Sequence, residues 1–293
     1  MSTDHRRRSD EASGTLVLIG GACTARGAAL GAFIDRAGAR DGGRIVGLTT
    51  ASADPLGSAV AWKDDFAAAG VRNIEFPIVD RRDRAQDVRI ARLLLEARGI
   101  FIGGGDQVHL VATLAGSRVG DAIREAYANG AVVGGTSAGA AALTETIMAG
   151  GEVDETGGFV PFHIGPGFGL LGFHAMIDTH FAQRRRLSRL FHAIARNPDL
   201  MGLGIDEDTA LVVRGHLGLV AGAGGVTFVD GRTVRYDNAE EITRDEELTL
   251  SHLRVGIVGS GQVFNLRERE LEVLLQAERS PERTPSVKGA ESA

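Results

Sequence analysis

The sequence predicts a three-layer α/β protein in which a mostly parallel central sheet is covered by helices on both faces. Short apolar runs alternate with helical patterns in the first half of the chain, and 43% of the 293 residues are hydrophobic, enough for a sizeable core. We expect a single domain over residues 15–276. The polar segments 1–14 and 277–293 lack the hydrophobicity needed to offset ordering entropy, so both are expected to be disordered tails.

The elements follow one another in a regular order. Strands are predicted where apolar residues run together, and helices where apolar residues recur at spacings of three and four, several of them ending in glycine. The order is strand 15–20, helix 27–38, strand 44–50, helix 57–70, strand 73–79, helix 87–99, strand 99–105, helix 119–130 and strand 131–135. Beyond these, a glycine-rich excursion at 151–172 precedes short strands joined by glycine turns in 210–231.

Composition excludes several classes of protein. The formal net charge of −6 argues against a general nucleic-acid-binding surface. The single cysteine, Cys23, excludes an intrachain disulfide and a cysteine-rich metal site, and we expect it to be a small buried residue. No apolar run approaches the roughly 18 residues that a membrane span needs, and no apolar segment follows the N-terminal basic residues. We therefore expect a cytoplasmic protein without nucleic-acid or membrane partners.

The stretch AVVGGTSAGA at 131–140 contains the pattern GxSxG, with Ser137 at its centre. The pattern lies between an apolar strand and a helical segment, as a nucleophilic serine on a strained turn requires. Ser137 is therefore either a nucleophile at a helix start or part of a close-packed structural turn. The backbone N–H groups of Ala138 and of Gly105, in the loop FIGGGDQ at 101–107, could form an oxyanion hole. A tight strand-to-helix turn is the alternative for that loop.

A nucleophilic serine needs a base and a group that orients the base. Among the eight histidines, His180 is the best placed, at the end of an apolar run, and His163 and His174 compete with it. The Asp-Glu-Asp triplet at 206–208 lies between two apolar strands, where one carboxylate could orient the imidazolium or all three could be turn residues. The order serine, histidine, carboxylate differs from the order in α/β hydrolases, which argues against an esterase or lipase.

Four arginines follow His180 within two predicted helical turns, namely Arg184, Arg185, Arg186 and Arg189. Such a cluster is ordinarily a solvated helix face. Beside a catalytic histidine, however, it could clamp a substrate carboxylate, because guanidinium groups bind carboxylates in a bidentate manner.

Together, the segments FIGGGDQ, GGTSAGA, DTHFAQRRRLSR and GLGIDEDTA resemble motifs of the cyanophycinase family of serine peptidases, in the same order and spacing. The likeness extends over residues 15–265. It implies a class I glutamine-amidotransferase-like (flavodoxin-like) fold, a Ser-His-Glu triad, no metal or other cofactor, and a homodimer. Members of that family release β-Asp-Arg dipeptides from cyanophycin, a polyaspartate that carries arginine on each side chain.

The resemblance implies Ser137 as nucleophile, His180 as general base and later general acid, and Glu207 as the carboxylate that orients His180. Positions that match the family's substrate pocket are Gln107, Asp178, Thr179, Arg184, Arg186 and Arg189. By charge, the arginines suit carboxylates of the substrate and Asp178 suits a guanidinium.

The sequence departs from the family at two places. Thr179 stands where the family usually has glutamine, and Cys23-Thr24 replaces an acidic pair. A short side chain beside the base alters substrate recognition. A related serine dipeptidase acting on acidic or isoaspartyl dipeptides is therefore the alternative. The presence of Ser137, His180 and Glu207 argues against a non-catalytic ligand-binding protein on the same scaffold.

Overall fold

A computed structural model gives the fold of the chain and describes residues 14–150, 162–241 and 248–273. The predicted tails lie outside these residues, apart from Gly14, as does the stretch 151–161 of the glycine-rich excursion. Within the described ranges, every helix is too short or too polar to span a lipid bilayer.

A sheet of nine described strands forms the centre of the fold. Five neighbouring strands are parallel, in the spatial order β1 (Thr15–Ile19), β5 (Val132–Thr136), β4 (Gly99–Ile102), β2 (Ile45–Leu48) and β3 (Ile74–Glu75). Four antiparallel strands extend the sheet beyond β1, in the order β10 (Thr209–Arg214), β11 (Leu217–Gly222), β16 (Val263–Asn265) and β17 (Glu270–Leu271). The predicted mostly parallel sheet is confirmed, whereas the antiparallel extension was predicted only as short strands within 210–231.

Helices cover both faces of the parallel strands. They are α1 (Ala28–Arg36), α2 (Pro55–Ala68), α3 (Val88–Leu95), α4 (Gln107–Leu114), α5 (Arg118–Ala128) and α6 (Ala138–Ala141). Side chains alternate across β1, so Val17 and Ile19 pack with α1 and α2, while Leu16 and Leu18 pack with the helices on the other face. This alternation explains why the strand is apolar at every position from Leu16 to Ile19, as parallel strands buried on both faces are.

One predicted strand is much shorter than expected. The run 73–79 forms a strand only at Ile74 and Glu75, at the edge of the sheet beside β2. Pro77 follows two residues later, and proline has no N–H with which to continue the ladder of hydrogen bonds. Beyond it, Val79 is buried and Ile78 is partly buried without belonging to the sheet.

A second sheet has four strands in the order β15 (Arg254–Gly259), β12 (Gly225–Asp230), β9 (Met201–Ile205) and β8 (Ala175–Thr179). Strands β8 and β9 are parallel and the other pairs are antiparallel. Helix α7 (Leu187–Ala195) packs on this sheet, because Leu190 and Ile194 join Met176 and Val229 in one apolar cluster. The described residues also include two small antiparallel strand pairs, β6 (Thr146–Gly150) with β7 (Phe162–Pro166) and β13 (Tyr236–Asp237) with β14 (Leu250–Ser251).

An aromatic cluster joins α1 and α2 to the sheet. Phe66 lies edge-on to Phe101 with ring centroids 5.1 Å apart, and Phe33 lies 5.4 Å from Phe101. All three side chains are fully buried. Aromatic side chains bury a large apolar area, so this cluster is a major source of stability for that face of the sheet.

We expect Phe66→Ala to lower the free energy of unfolding by about 3–5 kcal/mol, because it removes a buried aromatic ring and leaves a cavity. Leu56→Ala on the same helix is the matched control, since Leu56 is 67% exposed and its loss should change stability by less than about 0.5 kcal/mol. Urea unfolding of both variants measures the difference. Equal effects would contradict the role of the cluster.

Candidate active site

Ser137 lies on a sharp turn between β5 and α6. Its backbone angles are φ 52° and ψ −121°, a positive φ that non-glycine residues rarely adopt. The strained turn predicted from the sequence is therefore present. The following helix α6 has only four residues, shorter than the helical pattern that the sequence indicates.

The glycines on either side of Ser137 are required by close approaches of the backbone. A methyl group at Gly135 would lie 2.3 Å from the carbonyl oxygen of Gly139, and one at Gly139 would lie 2.3 Å from the carbonyl oxygen of Ile102. Backbone atoms cannot shift to relieve such contacts without moving the strand. The turn therefore tolerates no side chain at these two positions.

Three side chains from distant parts of the chain form a continuous set of hydrogen bonds. His180 Nε2 lies 2.9 Å from Ser137 Oγ, and His180 Nδ1 lies 2.7 Å from Glu207 Oε1. The His180 side chain is 12% exposed and the Glu207 side chain 35% exposed. This arrangement can transfer the serine proton to the imidazole while the carboxylate stabilises the resulting positive charge.

The other histidines and carboxylates considered as catalytic candidates lie elsewhere or have other partners. His163 on β7 and His174 just before β8 are exposed. In the acidic triplet, Asp206 accepts the backbone N–H groups of Ala182 and Gly225. Asp208 accepts the backbone N–H of Ala29 at 3.3 Å, at the start of α1. Of the three carboxylates, Glu207 is thus the one hydrogen-bonded to His180.

The pairing of β8 with β9 brings His180 and Glu207 together. Thr179 is the parallel partner of Ile205, so both strands end at the same edge and their turns begin side by side. His180 comes one residue after β8 and Glu207 two residues after β9. The turn that bears Ser137 is held at the end of β1, because the Ser137 N–H donates to the carbonyl oxygen of Ile19.

The turn after β1 contributes two residues that no sequence motif identified. The His180 N–H donates to the carbonyl oxygen of Gly20 at 2.7 Å. Gly21 has φ 106°, and a methyl group there would lie 2.2 Å from His180 Cε1. The only sequence signal for this contact is the pair of glycines after the first strand. Gly21 therefore leaves the space that the imidazole occupies.

Gly105 and Ala138 are the two residues whose backbone N–H groups the sequence offered for an oxyanion hole. Gly105 and Ala138 line the same cavity as Ser137. Within the described part of the chain, neither N–H donates a hydrogen bond to the protein. Gly105 has φ 139°, and a methyl group there would lie 1.9 Å from the carbonyl oxygen of Ala51. The polyglycine loop thus needs glycine to pass this close to the preceding loop.

A cavity of about 540 Å³ opens beside Ser137. All six pocket positions predicted from the sequence line it, namely Gln107, Asp178, Thr179, Arg184, Arg186 and Arg189. Met148 and Gly150 on β6 also form part of its wall, and Gln107 Nε2 donates to the Met148 carbonyl oxygen at 2.6 Å. The sequence carries no signal for this wall, since the contact uses a backbone oxygen that every residue has.

Asp178 is buried in the cavity wall between two arginines of the chain. Its side chain is 1% exposed. Arg189 Nε donates to Asp178 Oδ2 at 2.7 Å and Arg189 Nη2 contacts Oδ1, while Arg186 Nη1 lies 3.3 Å from Oδ1. Two guanidinium groups of the chain itself thus engage both carboxylate oxygens, and a pairing of Asp178 with a substrate guanidinium stays a prediction.

The arginine segment is also arranged differently from the predicted solvated helix face. Residues 181–186 form turns, with φ 51° at Arg185, and α7 begins only at Leu187. Arg186 and Arg189 are buried because they pair with Asp178, whereas Arg184 is exposed and lines the cavity. Arg186 Nη1 also donates to the carbonyl oxygen of Thr179 at 2.7 Å. A buried charge needs such partners, and the turn supplies them.

Cys23, in the turn after β1, is buried as expected. Its Sγ lies 3.5 Å from Thr136 Oγ1. Burial raises the pKa of the thiol to about 11, since a thiolate is poorly stabilised away from water. Within the ranges that the structure describes, no group of three or more His, Cys, Asp or Glu side chains is arranged to hold a metal ion.

Comparison with known proteins identifies relatives over most of the chain. The sequence model of peptidase family S51 matches residues 31–219. A cyanophycinase from Synechococcus elongatus is 37% identical over 265 residues, which cover 88% of this chain and 81% of that protein. A cyanophycinase from Trichormus variabilis is 32% identical over 267 residues, which cover 89% of each chain. These relatives show the family to which the chain belongs.

The fold is also found in a solved structure, the crystal structure of a peptidase from an acI-B1 Actinobacterium. The two superpose with a TM-score of 0.63 at 20% sequence identity, covering 88% of this chain and 99% of that one. This likeness supports the α/β architecture.

We expect Cys23 to react with iodoacetamide at pH 8 at least roughly a hundredfold more slowly in the folded protein than in urea, because the thiolate is the reactive form. Mass spectrometry of timed samples measures this difference, and equal rates would contradict the buried environment. Since folding raises this pKa, the corresponding stability is fully present below about pH 8.5, the pKa of an unfolded cysteine. It is lost as the pH rises through about 11.

Proposed function

The chain belongs to peptidase family S51, and from that membership we propose that it is a cyanophycinase. In this proposal, the protein is a serine exopeptidase that hydrolyses cyanophycin, multi-L-arginyl-poly-L-aspartate, to β-Asp-Arg dipeptides. The observation that carries the proposal is the hydrogen-bonded series Ser137, His180 and Glu207 beside a cavity lined by three arginines.

The acylation step follows from these contacts. Glu207 accepts the Nδ1–H of His180, which leaves the lone pair of Nε2 directed at Ser137 Oγ. As Oγ attacks the backbone amide carbonyl of the substrate, Nε2 takes the hydroxyl proton and a C–O bond forms. The N–H groups of Gly105 and Ala138 stabilise the oxyanion of the tetrahedral intermediate.

Two further steps complete the turnover. The C–N bond breaks as His180 gives its proton to the leaving amine, and the acyl group remains on Ser137. Water then enters and loses a proton to His180 as it attacks the acyl carbonyl. The proton returns to Ser137 Oγ when the acid product leaves, so the enzyme regains its starting state.

The charges of the cavity suit an acidic substrate backbone. Arg184 is exposed at the cavity wall, where a guanidinium can bind a substrate carboxylate in a bidentate manner. Asp178 binds the guanidinium groups of Arg186 and Arg189 in the wall, and we retain it as a pocket residue of the proposal. We infer that carboxylate recognition begins at Arg184.

A second candidate function is a serine dipeptidase acting on acidic or isoaspartyl dipeptides. Thr179 favours it, because this short side chain lines the cavity at a position where the resembled family usually has glutamine. The two candidates differ in their access to a polymer. Release of soluble dipeptide from insoluble cyanophycin supports the first, and cleavage of short aspartyl dipeptides alone supports the second.

Several finer features accompany the main proposal. We propose that the α/β architecture is of the class I glutamine-amidotransferase-like (flavodoxin-like) type and that residues 15–276 form one domain. We further propose a cytoplasmic homodimer that needs no cofactor. Size-exclusion chromatography with light scattering tests the oligomeric state.

We expect the wild-type protein to release β-Asp-Arg from cyanophycin, and Ser137→Ala to abolish this release while leaving substrate binding intact, because only the attacking oxygen is lost. Mass spectrometry of the soluble products and sedimentation of the protein with cyanophycin granules measure the two properties. Ser260→Ala is the control, since Ser260 lies on the turn after β15. Undiminished turnover by Ser137→Ala would eliminate the proposed mechanism.

We expect Arg184→Ala to raise the KM for the substrate by about 10- to 100-fold, the loss of one charge-assisted hydrogen-bonded contact. The matched control is Arg185→Ala, because the neighbouring Arg185 is also exposed but does not line the cavity. Initial rates over a range of substrate concentrations separate KM from kcat. Similar kinetic constants for the two variants would contradict carboxylate binding by Arg184.

A further inference from the structure

We propose that Asp206 is a positioning residue, which holds the turn bearing His180 in register with the turn bearing Glu207. The inference rests on the proposed function, because it assigns a role in the same hydrogen-bonded series. Asp206 precedes Glu207 directly, but its carboxylate binds backbone N–H groups instead of the imidazole. It acts on the reaction through the residues that it holds in place.

One carboxylate oxygen of Asp206 extends the contact between β8 and β9 beyond the ends of these strands. Ladder pairing ends at Thr179 and Ile205, and the Phe181 N–H still donates to the Ile205 carbonyl oxygen at 3.2 Å. The next N–H, that of Ala182, donates to Asp206 Oδ1 at 3.1 Å. Asp206 thereby supplies an acceptor at the point where the backbone ladder has ended.

The other carboxylate oxygen is fixed to the framework of the second sheet. Gly225, the first residue of β12, donates its N–H to Asp206 Oδ2 at 3.0 Å and accepts the Asp206 N–H at 3.2 Å. The fold leaves space for this side chain, since a methyl group at Gly224 would lie 2.7 Å from Asp206 Cβ. A strand of the sheet thus determines where Asp206 lies, and Asp206 determines where the next turn lies.

A second hydrogen bond connects the same two turns, and here the donor lies on the Glu207 turn and the acceptor on the His180 turn. Gln183 Oε1 accepts the backbone N–H of Glu207 at 3.1 Å. The Glu207 side chain is 35% exposed, so packing restrains it little and its position depends on the backbone that carries it. His180, with φ 50°, likewise needs its turn to be held by neighbours. Asp206 connects the two backbones to each other and to β12.

The experiment is a double-mutant cycle between Asp206 and Glu207, with cyanophycin as substrate. We expect Asp206→Ala to lower kcat on the order of 100-fold with KM changed little, because displacement of a reacting group by about 1 Å has an effect of that size. In a Glu207→Ala background the same substitution should lower kcat by less than about threefold, since the contact that it positions is already absent. Asp206→Asn, which keeps one acceptor oxygen, should give an intermediate loss.

The control is Asp237→Ala, because Asp237 also accepts a backbone N–H, from Ala239, but lies on β13, outside the candidate site. This variant should keep the wild-type kcat. Urea unfolding establishes that each variant is folded at the assay temperature. An equal loss of kcat from Asp206→Ala in both backgrounds, or no loss in either, would overturn the proposal and leave Asp206 with a purely structural role.

A substrate-independent readout separates this proposal from the proposed function. A serine-directed fluorophosphonate reacts when Ser137 Oγ forms an O–P bond and the P–F bond breaks. Fluoride leaves and the hydroxyl proton passes through His180 to solvent. Labelling followed by intact mass should show the same non-additive pattern. If the wild type is labelled but releases nothing from cyanophycin, the substrate assignment fails while the role of Asp206 is still decided by the labelling rates.

Discussion

The imidazole of His180 is the contact on which the arrangement of the site depends. It lies 2.9 Å from Ser137 Oγ and 2.7 Å from Glu207 Oε1. The turns that follow β5, β8 and β9 must therefore lie within a few ångströms of one another. Parallel pairing brings two of these turns together, those of His180 and Glu207, because the carboxyl ends of β8 and β9 share an edge. The remaining precision comes from contacts between turns, among them the bond from the His180 N–H to Gly20.

Local backbone strain accompanies this convergence. Ser137, His180 and Asp208 have φ values of 52°, 50° and 44°, and all three lie in or beside the site. Each such residue costs on the order of 1–3 kcal/mol and persists only where its surroundings determine it. The surroundings here are closely packed: two apolar cores pack on opposite faces of the sheet, and Gly135 and Gly139 allow the backbone to approach closely. The hydroxyl of Ser137 is therefore held at the cavity before any substrate arrives.

The buried ion pairs of Asp178 organise the cavity wall in a comparable manner. Arg186 and Arg189 come from a turn and a helix, and Asp178 from the end of β8, so their contacts connect elements that would otherwise be free to separate. Breaking one partner of a buried pair leaves an uncompensated charge, which is strongly destabilising. Ion pairs consequently hold the wall together at Asp178, while Arg184 is the exposed one of the three arginines that line the cavity.

The sequence by itself determined the α/β class, the parallel strands other than most of the run 73–79, the helices between them other than Gln107–Leu114, and the strained turn at Ser137. These features depend on local patterns of apolar residues, glycines and caps, which act over a few positions. Motif resemblance indicated the family and the residues proposed for the reaction. Only the tertiary structure decided that Asp178 pairs with Arg186 and Arg189, that α7 begins after the arginine-rich turn, and that Asp206 binds Ala182 and Gly225. Those pairings join residues 8 to 24 positions apart, and a linear pattern does not specify which charged groups the folded chain brings into contact.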